Sequence, residues 1–389
     1  MKFFNLLGVF FCTVGGSFLH ANELTIATFN VSMESENYVT KGAKLGPEVL
    51  STLLAKGNHP QIKNIAAIIQ QVQPDILLLN EFDDIENPKQ GVELFIKNYL
   101  ATSQMGGAAI DYPYYYYNRV NTGQPSGFDL DRNGKANDGA EDAWGFGHYP
   151  GQYGMVVLSK YPIDVSKVRT FQHFKWKDMP NHQVPKHADG SAWFSAEIMA
   201  KMPLSSKSHW DLPILIQGKS LHLLVSHPTP PVFDGPENRN GHRNHDEVRF
   251  WVDYLNAADN YHYDDQGNKG GYVGSDPFVI MGDLNASAEE GDSHKAAISA
   301  LLQHPKIQQE PIPQSMGGTM NAPKNPLSKY HTAGWKMRAD YVLPSRSGLE
   351  VIASGVYWPT PLEPMHALVA TRGASSDHRL VWVKVRLLD

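Results

Sequence analysis

Five short apolar runs in this chain each adjoin a polar residue able to bind a cation or a phosphate. That recurrence constrains the fold more than any single motif. The clearest case is Phe278-Val279-Ile280-Met281-Gly282-Asp283-Leu284-Asn285, an apolar strand that runs into glycine and then presents an Asp and an Asn two residues apart. In an extended chain the side chains at i and i+2 point the same way, so a carboxylate and a carboxamide project together from one strand end. Leu24–Phe29 leads to Asn30, Ile76–Leu79 to Asn80 and Glu81, and Leu221–Ser226 to His227. Ser375-Ser376 leads to Asp377-His378, just ahead of the run Leu380–Val385. Scattered surface polarity has no reason to collect at strand ends. The pattern predicts a layered α/β domain with strands inside and one site assembled along their ends.

Periodicity fills in part of the layout. Ile62, Ile65, Ala66, Ile69 and Val72 recur at helical spacing, which predicts a helix over His59–Gln73, ended by Pro74-Asp75. Val248, Trp251, Val252 and Leu255 predict a second helix over His245–Asn256, with Asn244 as its cap. Further strands are expected at Gly154–Ser159, Trp193–Met199, Tyr341–Leu343 and Val351–Val356. The stretches Ala101–Gly151 and Pro228–Asn244 are rich in Gly, Pro, Asn and Asp and read as long loops. Their aromatics, among them Tyr112, Trp144, Phe146 and Phe233, either wall a cleft or simply pack the loops. The run Tyr114–Tyr117 either stacks on a substrate ring or forms a strand with alternate rings buried.

At 389 residues the chain is long enough for one large domain. Lys2 followed by the apolar run Phe3–Leu19 and the small Ala21 reads as a signal peptide over residues 1–21. A membrane anchor is the alternative, although nothing like a stop-transfer segment follows. The domain then spans residues 22–389, with no stable anchor after cleavage and a secreted or periplasmic location. The single cysteine, Cys12, lies inside this leader, so the mature domain needs no disulfide. The leader carries one lysine and no acid, which leaves 33 Lys+Arg against 40 Asp+Glu and a net charge of about −7. That balance argues against gripping nucleic acid through a broad basic face. It leaves room for an enzyme in which metal ions neutralise phosphates locally.

Asn30, Glu81, Asp283, Asn285, Asp340 and Asp377 offer hard oxygen donors, and His227 and His378 the nitrogens beside them. Such a set suits Mg²⁺, Mn²⁺ or Ca²⁺ better than Zn²⁺, which recruits more His and Cys. Asp283 is expected near a reacting phosphorus, where it orients or deprotonates a water. Asp340 is placed to hold an imidazolium at His378. Replacing His378 is expected to cost turnover and leave folding nearly unchanged. A second oxygen set, Asp129, Asp131, Asn133 and Asn137, has the first, third, fifth and ninth spacing of a calcium loop, with Gly134 at the sixth. Position twelve is Ala140, with Asp138, Glu141 and Asp142 close by, so the segment is either a structural Ca²⁺ site or a polar turn.

Taken in order, Thr28-Phe29-Asn30, Asn80-Glu81, Gly154–Pro162, Ser226-His227, Gly282–Asn285, Ala339–Val342 and Ser376-Asp377-His378 resemble the endonuclease/exonuclease/phosphatase superfamily with its DNase I-like fold, in a secreted bacterial form. The resemblance implies a four-layer α/β/β/α sandwich with two packed mixed β-sheets. It also implies metal-dependent hydrolysis of a phosphate ester by in-line attack of water. On that resemblance Asn30 and Glu81 hold Mg²⁺ or Mn²⁺, with Asp377 completing the shell. Asp283 and Asn285 position water and phosphate, His378 with Asp340 acts as base or transition-state stabiliser, and His227 binds a phosphate oxygen or protonates the leaving group. Arg243 and His242 would join the phosphate pocket unless His245-Asp246-Glu247 is the first turn of a helix.

The chain also departs from the family's pattern. Asn80 stands where Gln commonly precedes the metal Glu, and Ser32 where the abasic-site branch carries an acid. His227 continues into a proline-rich Pro228–Gly235, and Gln152 sits where secreted nucleases place an acid for that His. The expected function is a secreted divalent-metal phosphoesterase of nuclease or phosphodiesterase type, acting on a phosphate ester, with nucleic acid one candidate beside a lipid headgroup or a small phosphoester. The alternatives are an enzyme of sphingomyelinase or phosphatase type on another substrate, and a catalytically silent binding module.

Overall fold

A computed structural model describes residues 23–257 and 261–388. Among the described residues eleven strands form two sheets. They are β1 (Glu23–Met33), β2 (Ile76–Phe82), β3 (Tyr114–Tyr117), β4 (Met155–Ser159), β5 (Arg169–Thr170), β6 (His209–Ile216), β7 (Lys219–Ser226), β8 (Phe278–Asp283), β9 (Asp340–Pro344), β10 (Leu349–Val356) and β11 (Val381–Leu387). One sheet runs β10-β11-β1-β2-β4-β3 and the other β5-β6-β7-β8-β9, each mixed. The helices are α1 (Pro47–Lys56), α2 (Pro60–Val72), α3 (Val92–Phe95), α4 (Ala196–Lys201), α5 (Arg239–Asn256), α6 (Lys295–Leu302) and α7 (Met316–Asn321).

The strand residues sort by pleat. Val279 and Met281 of β8 enter the core between the sheets, with Trp210 and Ile214 of β6 and Ile26 and Leu78 of the other sheet. Phe278 and Ile280 point the other way, against Trp251, Leu255 and Ile298 of α5 and α6. The first sheet is covered on its outer face by α1 and α2 through Leu54, Ile62, Ile65 and Ile69. A strand buried on both faces reads as an unbroken apolar run, and this is why the strands leading to the site stood out in the sequence. The result is the α/β/β/α sandwich that the family resemblance implied.

Several local expectations are corrected. Helix α5 starts at Arg239, six residues ahead of His245, so Asn244 and His245-Asp246-Glu247 lie inside it. Residues 239–244 carry no apolar stripe, because the buried positions there are Gly241 and Asn244. Asp234 Oδ2 accepts the Asn240 N–H at 2.6 Å at the helix start, while the Asn244 amide donates to Thr229 O and Leu284 O. Trp193–Met199 is no strand: Ser195 Oγ caps the short α4 by accepting from Ile198 N. Strand β6 escaped notice because Pro213 interrupts it, although it pairs with β7 along its whole length. Tyr114–Tyr117 is an edge strand against β4, with Tyr116 packed edge-on to Trp210 at 5.2 Å. The leader over residues 1–21 lies outside the described residues. Among the described residues no helix is long and apolar enough to cross a membrane.

Candidate active site

Register and sheet packing bring the polar strand ends together. Asn30 of β1 lies opposite Asn80 of β2, and Asp283 of β8 opposite Asp340 of β9. Because β1 packs across β8, the two sheet rims meet: Asn30 Nδ2 donates to Asp283 Oδ2 at 3.1 Å, and the Asp283 N–H to Asn80 Oδ1 at 3.3 Å. Close approach of β7 and β8 requires Gly282, which has φ +149° and where a Cβ would lie 2.0 Å from Ser226 O. Glu81 and Asn285 both take positive φ, near +56° and +51°, so the two rims carry backbone strain beside the donors.

Asp283 is the hub. Its Oδ2 lies 3.4 Å from His227 Nε2 and 3.5 Å from His378 Nε2, and its Oδ1 accepts the Asn285 N–H at 3.0 Å. Behind His378, Nδ1 meets Asp340 Oδ2 at 2.9 Å, and Thr332 Oγ1 donates to that oxygen at 2.7 Å. Glu81, His227 and Asp283 each bring a ligand atom within 4.8 Å of the others, as do Asp283, Asp340 and His378.

The two histidines are tuned in opposite directions. Burial and then the Lys207 charge lower the His227 pKa, against the pull of Asp283. Burial also opposes the charged form of His378, but the carboxylates of Asp340 and Asp283 prevail and raise it to about 10. Burial pushes Asp340 up to about 6, tempered by the His378 charge. Asp283 is buried too, yet His378, His227 and Asn30 hold it below the usual carboxylate range. At neutral pH the site therefore pairs a neutral imidazole with an imidazolium around one carboxylate, the kind of split that separates acid and base roles.

Asn30, Glu81, His227, Asp283, Asn285, Asp340 and His378 thus converge as their positions in the sequence suggested. Asp377 stays at the rim, near Ser32 Oγ at 3.4 Å and Arg372 at 3.4 Å. Arg243 lies behind the site, its guanidinium engaged by the carbonyls of Leu204 and Pro203. Gln152 bonds Glu34 and the His148 N–H and makes no bond to His227, whose Nδ1 is buried without a hydrogen-bond partner among the described residues. In the second oxygen set Asp129 and Asp131 are joined by Asp142, all within 4.8 Å. Asn133 bonds Asp131 and Asp138, and the Asn137 side-chain oxygen accepts the Gly127 N–H.

Three functional positions went unread in the sequence. Thr332, eight residues before Asp340, fixes that carboxylate and takes the N–H of Ala339 and Asp340. Trp335 is half-exposed and stands edge-on to His378 at 4.6 Å. Lys207 is only 5% exposed. Burial lowers its pKa, offset by the charges of Glu247, Glu81 and Asp283. A buried lysine is rare without a partner. Its signal lay in the unread β6: His209 pairs with Ser226, so Lys207 falls alongside the turn that carries His227.

The donors suit a hard divalent cation. Glu81, Asp283 and Asn30 offer oxygens, and excess negative charge is already felt: burial and then the charge of Glu81 push Glu34 up to about 7. A divalent ion would offset this charge.

An α/β/β/α sandwich with acid, amide and two histidines at its joined rims defines a DNase I-like protein. Residues 27–378 match the Endonuclease/Exonuclease/phosphatase family, and the chain belongs to it. The crystal structure of an endonuclease/exonuclease/phosphatase from Beutenbergia cavernae DSM 12333 is similar at a TM-score of 0.52 and 17% identity, covering 94% of this chain and 72% of that one. A family protein from Leptotrichia buccalis C-1013-b (TM-score 0.46, 14% identity, 94% and 100% covered) and the human Nocturnin catalytic domain with bound sulfate (0.46, 12%, 94% and 95%) are further likenesses. No curated protein matches the sequence.

Proposed function

We propose that this chain is an exported, divalent-metal-dependent phosphoester hydrolase of nuclease or phosphodiesterase type. The observation that carries the reading is Asp283 bracketed by a neutral His227 and a charged His378, with Glu81 and Asn30 beside it. Glu81 and Asn30 would hold Mg²⁺ or Mn²⁺, with Asp377 at the rim as a further donor, and the ion would supply charge neutralisation at the phosphate. Asp283 orients the attacking water and accepts its proton as the new P–O bond forms; the ester P–O bond opposite breaks, the leaving oxygen takes a proton from solvent, and the Asn285 carboxamide fixes the phosphate. His378, held as imidazolium by Asp340 and Thr332, stabilises the negative charge that builds on the phosphoryl oxygens. His227 and Lys207 contact the phosphate from the β7 side, with Arg243 behind them. Trp335 forms an exposed wall for a ring or apolar group next to the scissile bond.

The silent-module alternative finds no support in the donors, since Glu81, Asp283 and His378 are all present and mutually placed. Hydrolysis of bis(p-nitrophenyl) phosphate, p-nitrophenyl phosphate, plasmid DNA and sphingomyelin, each with Mg²⁺, Mn²⁺ or Ca²⁺ and again with EDTA, tests the reading. Metal-dependent turnover supports it and the best substrate identifies the branch. Folded protein that turns over none of them overturns it in favour of a binding module. Export rests on Lys2 and the run Phe3–Leu19, and a mature N-terminus at Asn22 in exported protein checks it. In the same reading the Asp129–Asp131–Asp142 cluster takes a structural Ca²⁺. A calcium-induced rise in Tm that Asp129→Asn removes supports that part, and an equal rise in the variant discards it.

A further inference from the structure

The segment that follows β7 has few backbone groups with which to hold its place. Of Pro228, Thr229, Pro230 and Pro231, only Thr229 carries a backbone N–H. His227 stands at the head of this segment, and its Nδ1 has no hydrogen-bond partner among the described residues. No carboxylate steers that side of the ring as Asp340 steers His378. The position of the His227 imidazole therefore depends on its own main chain.

Helix α5 supplies the hold. Glu247 Oε2 accepts the Thr229 N–H at 2.6 Å, and its Oε1 accepts the Ser206 N–H, also at 2.6 Å. Asn244, three residues earlier on the same helix face, donates its amide to Thr229 O at 2.9 Å and to Leu284 O at 3.0 Å. Both backbone groups of Thr229 are thus taken by one face of α5. The same face reaches Ser206, next to Lys207, and Leu284, between Asp283 and Asn285. The Asn285 side chain completes the arrangement by donating to Pro228 O at 3.2 Å.

The chemistry of position 247 is specific. Two converging N–H donors need an acceptor with two oxygens, which a carboxylate offers and a carboxamide does not. Glu247 is fully buried, and a buried carboxylate is costly unless it is paired and hydrogen-bonded. Its two short bonds and the charges of Lys207 and Arg243 offset that cost. An apolar residue would fill the same space without it, but would leave the Thr229 and Ser206 N–H groups unheld.

We propose that Glu247 is a positioning residue of the phosphoesterase site, whose carboxylate sets the His227 loop and the Lys207 segment at a fixed separation. It touches no substrate and acts through His227 and Lys207, so the proposal rests on the reading of those two as phosphate contacts. Asn244 extends the same hold to the turn that carries Asp283 and Asn285.

The test pairs hydrogen exchange with kinetics on the full-length chain, comparing wild type with Glu247→Gln. The new side chain has the same shape, but accepts from one N–H group and turns an N–H of its own towards the other. Exchange read by mass spectrometry should speed up by about tenfold or more over residues 204–207, over residues 226–231 or over both, and stay unchanged over β8. In the folded variant kcat should fall by about ten- to a hundredfold while KM moves by less than about threefold. In a chain already carrying His227→Ala and Lys207→Met the same change should cost less than about threefold, because the groups it positions are gone. A purely structural role would cost both backgrounds the same factor. That result overturns the proposal, as does unchanged exchange at both segments. If Glu247→Gln does not fold, Glu247→Asp, with both oxygens on a shorter stem, carries the same comparison. Wild type that hydrolyses no phosphoester overturns the enzyme reading, and exchange then decides by itself whether Glu247 holds the two segments.

Discussion

His227 and His378 approach the same oxygen, Asp283 Oδ2, at 3.4 and 3.5 Å, yet only His378 has a carboxylate behind it. That carboxylate behind His378 and the Lys207 charge near His227 set the two rings apart. Asp340 raises His378 to about 10, whereas His227, with Lys207 nearby and Nδ1 buried, is lowered. Folding should therefore be linked to pH through His378. Its folded pKa lies above the ordinary value of 6.5, so its contribution is fully present below about pH 6.5 and lost as pH rises towards 10. Urea midpoints of the EDTA-treated protein should fall across that window, and His378→Gln should flatten the slope. An equal slope in the variant would remove His378 as its source.

The same pair revises what replacing His378 should do. The sequence suggests that activity falls and folding survives intact. Turnover should indeed drop by about a hundredfold or more. However, Asp340 is fully buried and leans on His378 and Thr332, so His378→Ala leaves a buried carboxylate short of a partner. A stability loss of about 1–3 kcal/mol follows. Chemical denaturation of wild type and variant measures it, and matching midpoints would show that Asp340 is satisfied without the imidazole.

The readable and unreadable parts of this site differ for a physical reason. Asn30, Glu81 and Asp283 each sit towards the end of a strand buried on both faces, so an apolar run announced them, while His378 precedes β11, which alternates buried and half-exposed residues. Lys207 precedes β6, where Pro213 interrupts the pattern, and Thr332 lies in an irregular segment that acts through a hydrogen bond with no periodicity. The first turns of α5 were missed because their buried face is Gly241 and Asn244 in place of aliphatic residues. Arg243 looked like a phosphate ligand by its charge and its neighbours. Only the fold reveals that the carbonyls of Pro203 and Leu204 engage its guanidinium.

Lys207 offers a cleaner separation of binding from folding. A buried ammonium costs desolvation, and an apolar side chain of similar length removes that cost together with the attraction to Glu247, Glu81 and Asp283. Lys207→Met should leave a folded protein with at most a modest loss of Tm while kcat/KM for a phosphodiester falls by about tenfold or more. Loss of Tm together with full activity in the surviving folded fraction would make Lys207 a partner of Glu247 and no part of the phosphate pocket.

Metal removal should be read in two ways at once. Half-buried Glu81 and buried Asp283 and Glu34 concentrate acidic groups at the rim, so a divalent ion that binds only the folded state must stabilise it. At a free Mg²⁺ concentration about a hundredfold above Kd the gain is about 2.7 kcal/mol. EDTA should abolish turnover and lower Tm in parallel, and Glu81→Gln should remove both the turnover and the Mg²⁺-dependent part of Tm. If Mg²⁺ shifts Tm equally in Glu81→Gln and wild type, the stabilising ion lies elsewhere, and Glu81 loses its place as a ligand whatever the activity shows.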